Sequence, residues 1–198
     1  LHSARVLLSS VDFAEIERLQ HIGDWPATAR LLAAEARAIQ AGGADFLLIG
    51  TNTMHKVAPE IEAAIDIPLL HIADATAHRL QADGVTRVGL LGTRFTMEQD
   101  FYKGRLQECF GLEVLVPGDA ARERVHRIIY DELCLGDIRE SSQAEYLAII
   151  ADLAQAGAQA VILGCTEIAL LVGACQAAVP LYDTTAIHAE AAVTLALA

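Results

Sequence analysis

Basic residues are scarce in this sequence. Lys and Arg number 14 against 26 Asp and Glu, which gives a formal net charge of −12 over 198 residues. A protein that binds duplex nucleic acid presents a basic face to the phosphates, so the charge argues against nucleic acid as a partner. An acidic surface speaks for solubility and for repulsion of polyanions. Long apolar runs are also missing. No stretch of about 18 apolar residues is present, so no membrane span is expected. No basic region precedes an apolar stretch, so no signal peptide is expected either. Cysteine is sparse: Cys109, Cys134, Cys165 and Cys175. None of them forms C-x-x-C, and no histidine pair completes a zinc pattern, so no metal is expected. A disulfide framework does not suit an alanine-rich chain of this size. Reduced thiols and a cytoplasmic location are the expectation. Aromatic residues make up only 5% of the chain.

Small and branched apolar residues fill that gap. The apolar fraction is 54%, and Ala, Leu, Ile and Val dominate it. Such a composition suits helices packed on parallel strands that are buried on both faces. Strands are expected at Arg5–Ser10, Asp45–Ile49, Ile67–Leu70, Arg87–Leu91, Leu112–Val116, Ala160–Leu163 and Val179–Tyr182. Helices of 10–15 residues fall between most of them. One is capped by Asp24, with Pro26 near its first turn, and stops at Gly42 and Gly43. The alternation predicts an α/β protein with parallel sheets. Functional sites in such sheets collect at the carboxyl ends of the strands, which directs attention to the polar loops after apolar strands.

Two of those loops belong to an internal repeat. Gly43–Thr53 reads G-A-D-F-L-L-I-G-T-N-T, and Gly157–Glu167 reads G-A-Q-A-V-I-L-G-C-T-E. The offset is constant at 114 residues (157 − 43 and 165 − 51). The likeness continues: Ile67-Pro68-Leu69 precedes Asp74-Ala75-Thr76, and Val179-Pro180-Leu181 precedes Asp183-Thr184-Thr185. Gly-Ala before a strand and Gly after it are generic punctuation in α/β folds, so symmetry alone is one reading. The polar loops support another. Two similar halves, 1–82 plus 178–198 and 83–177, would bring Thr51 and Cys165 to opposite walls of one cleft. That geometry suits removal of a proton from one face of a carbon and its return to the other.

A lone cysteine after an apolar strand is commonly structural, and Cys109, Cys134 and Cys175 are read that way. Cys165 differs. Gly164 before it allows close approach of backbone to a ligand. A helix is expected after it, whose first amides and positive dipole end favour a thiolate. The same amides suit a substrate carboxylate and a developing enolate. Thr166 offers a hydroxyl nearby. The hydroxyl of Thr51 has far too high a pKa for a standing base; it relays a proton or shapes the pocket. Asn52 and Thr53 suit a carboxylate or ammonium group, with helix capping as the alternative. His55 and His71 carry no assigned role. Asp74 and Asp183 read as helix caps.

Gly50–His55 (G-T-N-T-M-H) together with Gly164–Glu167 (G-C-T-E) resembles the aspartate/glutamate racemase family. Gly92–Thr96 (G-T-R-F-T) followed by Phe101-Tyr102 adds to the likeness, which runs over essentially the whole chain. It is most similar to the branch specific for L-aspartate and L-glutamate, whose first catalytic position is a threonine. The resemblance implies two Rossmann-like, three-layer α/β halves related by a pseudo-twofold, with the active site in the cleft between them. It implies no cofactor, no metal, and an acidic amino acid as substrate. It implies that Cys165 works on the L-enantiomer and that Thr51 stands where a second cysteine would be. Asn52, Thr53 and Thr166 match positions that hold the substrate's carboxylate and amino groups. Ser10, Gln20, Thr93 and Glu132 match the pocket by position. With Thr51 in that place, L-substrate is expected to be deprotonated well and D-substrate poorly. The family carries a glycine-rich strand and turn ahead of the segment matching Leu1, so a trimmed start is expected. A homodimer is the default assembly. Two rival readings stay open. One is a related cysteine-dependent enzyme such as a hydantoin racemase, maleate isomerase or arylmalonate decarboxylase. The other is a non-catalytic protein that binds acidic amino acids.

Overall fold

The structure is a computed structural model that describes residues 3–173 and 175–198. The chain enters through an extended segment and forms α1 (Phe13–Ile22). Asp12 caps this helix by accepting from the Ala14 amide at 3.0 Å, and Gly23 ends it at φ 72°, a left-handed conformation that glycine adopts without steric cost. Residues Arg5–Ser10 form no strand. Val6 and Leu8 are 78% and 85% exposed. β propensity alone does not make a strand; a ladder partner is required, and none lies beside this segment among the described residues.

Asp24 caps α2 (Trp25–Ala41) through the Ala27 amide at 2.9 Å. Ala29, Ala33 and Ala36 recur at helical spacing and form its buried face. β1 (Leu47–Leu48) follows, then a 3₁₀ turn (Thr53–Val57), α3 (Ala58–Glu62) and β2 (Leu69–Leu70). β1 and β2 pair in parallel as a two-stranded sheet. Ala29, Ala36, Leu47, Val57 and Ile61 make the small core beside it.

α4 (Ile72–Ala82) leads to β3 (Arg87–Gly92), α5 (Arg94–Glu98), α6 (Asp100–Phe110) and β4 (Glu113–Leu115). Then come α7 (Asp119–Asp131), a 3₁₀ turn (Leu133–Leu135), α8 (Glu140–Gln155), β5 (Ala160–Gly164), α9 (Ile168–Val172), β6 (Leu181–Asp183) and α10 (Thr184–Ala196). β4, β3, β5 and β6 lie in that order in a four-stranded parallel sheet. The protein is thus an α/β fold with parallel sheets.

Side chains alternate across β5 as a strand's period of two requires. Val161 and Leu163 face a core with α7, α8 and α9. Ala160 and Ile162 face a second core with α4 and α6. Both faces of the sheet are therefore covered, which accounts for the unbroken apolar run Ala160–Leu163. β6, assigned from sequence to the first half, hydrogen-bonds to β5 in the larger sheet, while α10 after it packs on α4. Cys109 and Cys134 lie exposed rather than in a core. Asp74 caps no helix; its carboxylate takes the fork of Arg105 on α6, and His71 caps α4 instead. Asp183 caps α10 as expected. Among the described residues no helix is long and apolar enough to cross a membrane.

Candidate active site

The site lies at the carboxyl ends of β3 and β5, where Gly92 pairs with Gly164. A Cβ on Gly164 would stand 2.7 Å from the Leu91 carbonyl oxygen, and one on Gly92 2.9 Å from that of Gly164. Only glycine allows the two strand ends this approach. Beyond them the two chains turn into parallel loops. Thr93 caps α5 from one, and Cys165 begins the other.

The Cys165 thiol donates to Glu167 Oε2 at 2.9 Å, and the Thr166 hydroxyl donates to the same oxygen at 2.7 Å. Burial pushes the thiol's pKa well above its ordinary value, and the Glu167 charge pushes it further. This reverses the sequence expectation of a helix start favouring the thiolate. α9 has only five residues and begins three positions later, and a carboxylate one hydrogen bond away outweighs its weak dipole. Tyr130, on α7, is raised to about 12 by burial and by the neighbouring Cys165.

The first motif reaches the same end of the sheet by two routes. Asn52 Nδ2 donates to Thr184 Oγ1 at 3.0 Å, and that hydroxyl donates in turn to the Leu163 carbonyl at 2.9 Å. Leu163 is two residues before Cys165. Because the Thr184 proton is already committed, the Asn52 amide must present its nitrogen here. Its Oδ1 is left buried without a partner. The second route is a triangle of hydroxyls: Thr53 and Thr93 Oγ1 at 3.2 Å, Thr93 and Thr96 at 3.2 Å, and Thr53 and Thr96 at 3.5 Å. All three threonines are buried. The motif thus spans from β3 to the start of α10.

Thr51 is half-buried, and its carbonyl accepts from His55 Nδ1 at 2.8 Å. Gln20 is buried beneath the motif. Its Oε1 accepts from the Tyr130 hydroxyl at 3.3 Å, and its Nε2 lies 3.8 Å from Met54 Sδ. Glu132 stands at the end of α7 with both oxygens engaged, one by Ser142 and the other by Arg139 at 3.1 Å. Ser10 is exposed in the segment before α1. Of the residues named from sequence, Asn52, Thr53 and Thr93 are tied to the ends of β3 and β5 or the turns just beyond them, Cys165 and Thr166 lie on the loop that leaves β5, and Gln20 is joined through Met54 and Tyr130. Sequence alone missed Glu167, Thr96 and Thr184. Glu167 lay in view, within G-C-T-E, and Thr184 within Asp183-Thr184-Thr185, the counterpart of Asp74-Ala75-Thr76. Thr96 carried no signal beyond its place in G-T-R-F-T. Among the described residues no three His, Cys, Asp or Glu side chains converge to hold a metal ion.

The model of the Asp/Glu/hydantoin racemase family matches residues 1–192. The chain belongs to that family. A crystal structure from Yersinia pestis, described provisionally as an Asp/Glu racemase, is 56% identical. It superposes with a TM-score of 0.93 over 100% of this chain and 86% of that one. An aspartate racemase homologue from Pyrococcus horikoshii is 33% identical, with a TM-score of 0.84 over 97% of this chain and 83% of that one. Among curated proteins, the broad-specificity amino-acid racemase RacX of Bacillus subtilis is 26% identical over 156 residues, 79% of this chain. The match spans 66% of the length of that relative, just under two thirds.

Proposed function

We propose that the protein racemises L-aspartate or L-glutamate without a cofactor, by moving the Cα proton between Cys165 on the L-face and Thr51 on the other. The observation that supports this reading is the tie from the first repeat loop to the carboxyl end of β5 through Asn52, Thr184 and Leu163, two residues before a thiol that donates to Glu167. Two small polar loops from different strands, converging where backbone can approach a ligand, suit a substrate held between them.

The chemistry follows from the groups present. The unpartnered Asn52 Oδ1 is an acceptor for the substrate's ammonium group, and the Thr53 hydroxyl, together with that of Thr166 once it turns from Glu167, donates to its α-carboxylate. With an ammonium group bound, positive charge near Cys165 favours the thiolate that Glu167 alone disfavours. The thiol proton passes to Glu167, the acceptor already in contact. The Cys165 thiolate then takes the Cα proton from the L-face, and the electron pair moves into the carboxylate as an enolate, stabilised by donors at the strand end. Reprotonation through the Thr51 hydroxyl, which takes a proton from solvent as it gives up its own, gives the D-enantiomer, and Glu167 releases the proton it received to solvent. Reprotonation by Cys165 returns the L-enantiomer with a solvent-derived hydrogen at Cα. Since a threonine hydroxyl is a poor acid and a worse base, exchange on the L-face outruns net racemisation.

The test is L-glutamate and L-aspartate in D₂O, with the Cα proton followed by NMR. Wild type should lose the signal while Cys165→Ala does not. Equal rates for the two proteins would refute the reading, and binding without exchange would leave only an amino-acid-binding protein.

A further inference from the structure

Three histidines lie buried together beneath the Thr51 loop. His55 and His71 have ring centroids 4.3 Å apart, and His55 and His188 6.1 Å apart. All three are at most 3% exposed. Their hydrogen bonds fix their protonation. The Ile72 amide donates to His55 Nε2 at 3.2 Å, so that nitrogen is bare and Nδ1 carries the proton. Nδ1–H then donates to the Thr51 carbonyl at 2.8 Å. The Ala73 amide donates to His71 Nδ1 at 3.1 Å, and His188 Nε2 donates to the Leu70 carbonyl at 2.8 Å. Burial lowers the pKa of each ring, in keeping with three neutral imidazoles. With both nitrogens taken by backbone, His55 has none for a substrate.

We infer that His55 is the positioning residue for Thr51: its Nδ1–H pins the Thr51 carbonyl to the start of α4 and thereby sets the half of the active site opposite Cys165. The peptide that links Thr51 to Asn52 is planar, so holding the Thr51 oxygen orients the whole unit and the residues at both its ends. The far end of the clamp is the Ile72 amide on α4, and His188 ties α10 to β2 alongside. None of these contacts reaches Cys165 or Glu167, whose loop is held by β5 and by its own hydrogen bonds. Asn52, at the other end of that peptide, is also held by Thr184 at 3.0 Å, so loss of the clamp falls chiefly on Thr51 and on the face opposite the thiol. The inference rests on the proposed racemase reading, in which Thr51 serves the face opposite the thiol.

That one-sidedness is measurable. In D₂O, deuterium entering L-glutamate at Cα with retention reports Cys165, and D-glutamate appearing reports the Thr51 side. His55→Phe fills the ring's volume without a donor. It should leave L-face exchange within about threefold of wild type and slow D-glutamate formation about tenfold or more. His55→Asn, whose amide nitrogen stands near the place of Nδ1, should restore D-glutamate formation to within about threefold of wild type. If His55→Phe does not fold, His55→Asn and His55→Gln, which carry the same amide one methylene apart, should differ in the same sense. Parallel loss of both signals, no loss of either, or an Asn variant no better than Phe or Gln would overturn the inference. A wild-type protein that exchanges nothing refutes the racemase reading itself, a result distinct from any of these.

Discussion

Cys165 and Glu167 form a thiol–carboxylate pair, 2.9 Å from Sγ to Oε2, in which the thiol is the donor. In the resting protein the cysteine is therefore held as an acid rather than as a base. Burial is the larger cause and the Glu167 charge the second. Glu167→Gln removes the second cause alone. Alkylation of Cys165 by iodoacetamide at pH 8 should accelerate in this variant, about tenfold for each unit by which the thiol's pKa falls. Cys109 and Cys134 are exposed, so the reaction is read at the Cys165 peptide by mass spectrometry. An unchanged or slower rate would mean that the carboxylate does not restrain the thiol.

In the proposed reaction the Thr51 side is the weaker of the two. A threonine offers no group that titrates near neutrality, whereas a cysteine does. Thr51→Cys should raise Cα exchange from D-glutamate by at least about tenfold and leave exchange from L-glutamate nearly as it was. No gain on the D-enantiomer would show that Thr51 does not face the reacting carbon.

The buried histidines give the fold an acid sensitivity of known sign. His71 is pushed down to about 3, and His55 and His188 are also lowered. All three are neutral in the fold but take up protons in the unfolded chain near the ordinary value of about 6.5. Their contribution is complete above that value and is lost as pH falls below it. His71 alone accounts for at most about 1.4 kcal/mol per pH unit once the unfolded form titrates. The urea midpoint should therefore drop between pH 6.5 and pH 5, above the usual carboxylate range, and His71→Gln should flatten that drop. A midpoint that holds steady over this window would contradict neutral, buried rings.

Much of the fold was legible because its signals are local. Asp24 and Pro26 mark the start of α2, and Asp183 the start of α10. The apolar run Ala160–Leu163 is a strand covered on both faces. Arg5–Ser10 misled because strand-forming residues were read without a partner to pair with. α1 was overlooked although Asp12 caps it and Ile16 and Leu19 supply its buried stripe. At the site, the motifs named the residues but not their contacts. The threonine triangle joins residues 40 and 43 positions apart, a tertiary fact that no local pattern carries. The Cys165 environment was read from the helix that follows it, while the nearer charge of Glu167 was left out. His55 and His71 looked like filler because their partners are backbone amides and carbonyls, which have no signature in a sequence.

The bond from Asn52 to Thr184 spans 132 residues. Both repeat motifs precede Thr184 in the chain, yet the Asn52 amide has its hydroxyl partner only once the start of α10 docks on the end of β5. Contacts of such long sequence separation form late, because loop closure must come first. The first loop is thus seated among the last events of folding, and a chain that stalls short of α10 would carry its thiol without a finished site around it.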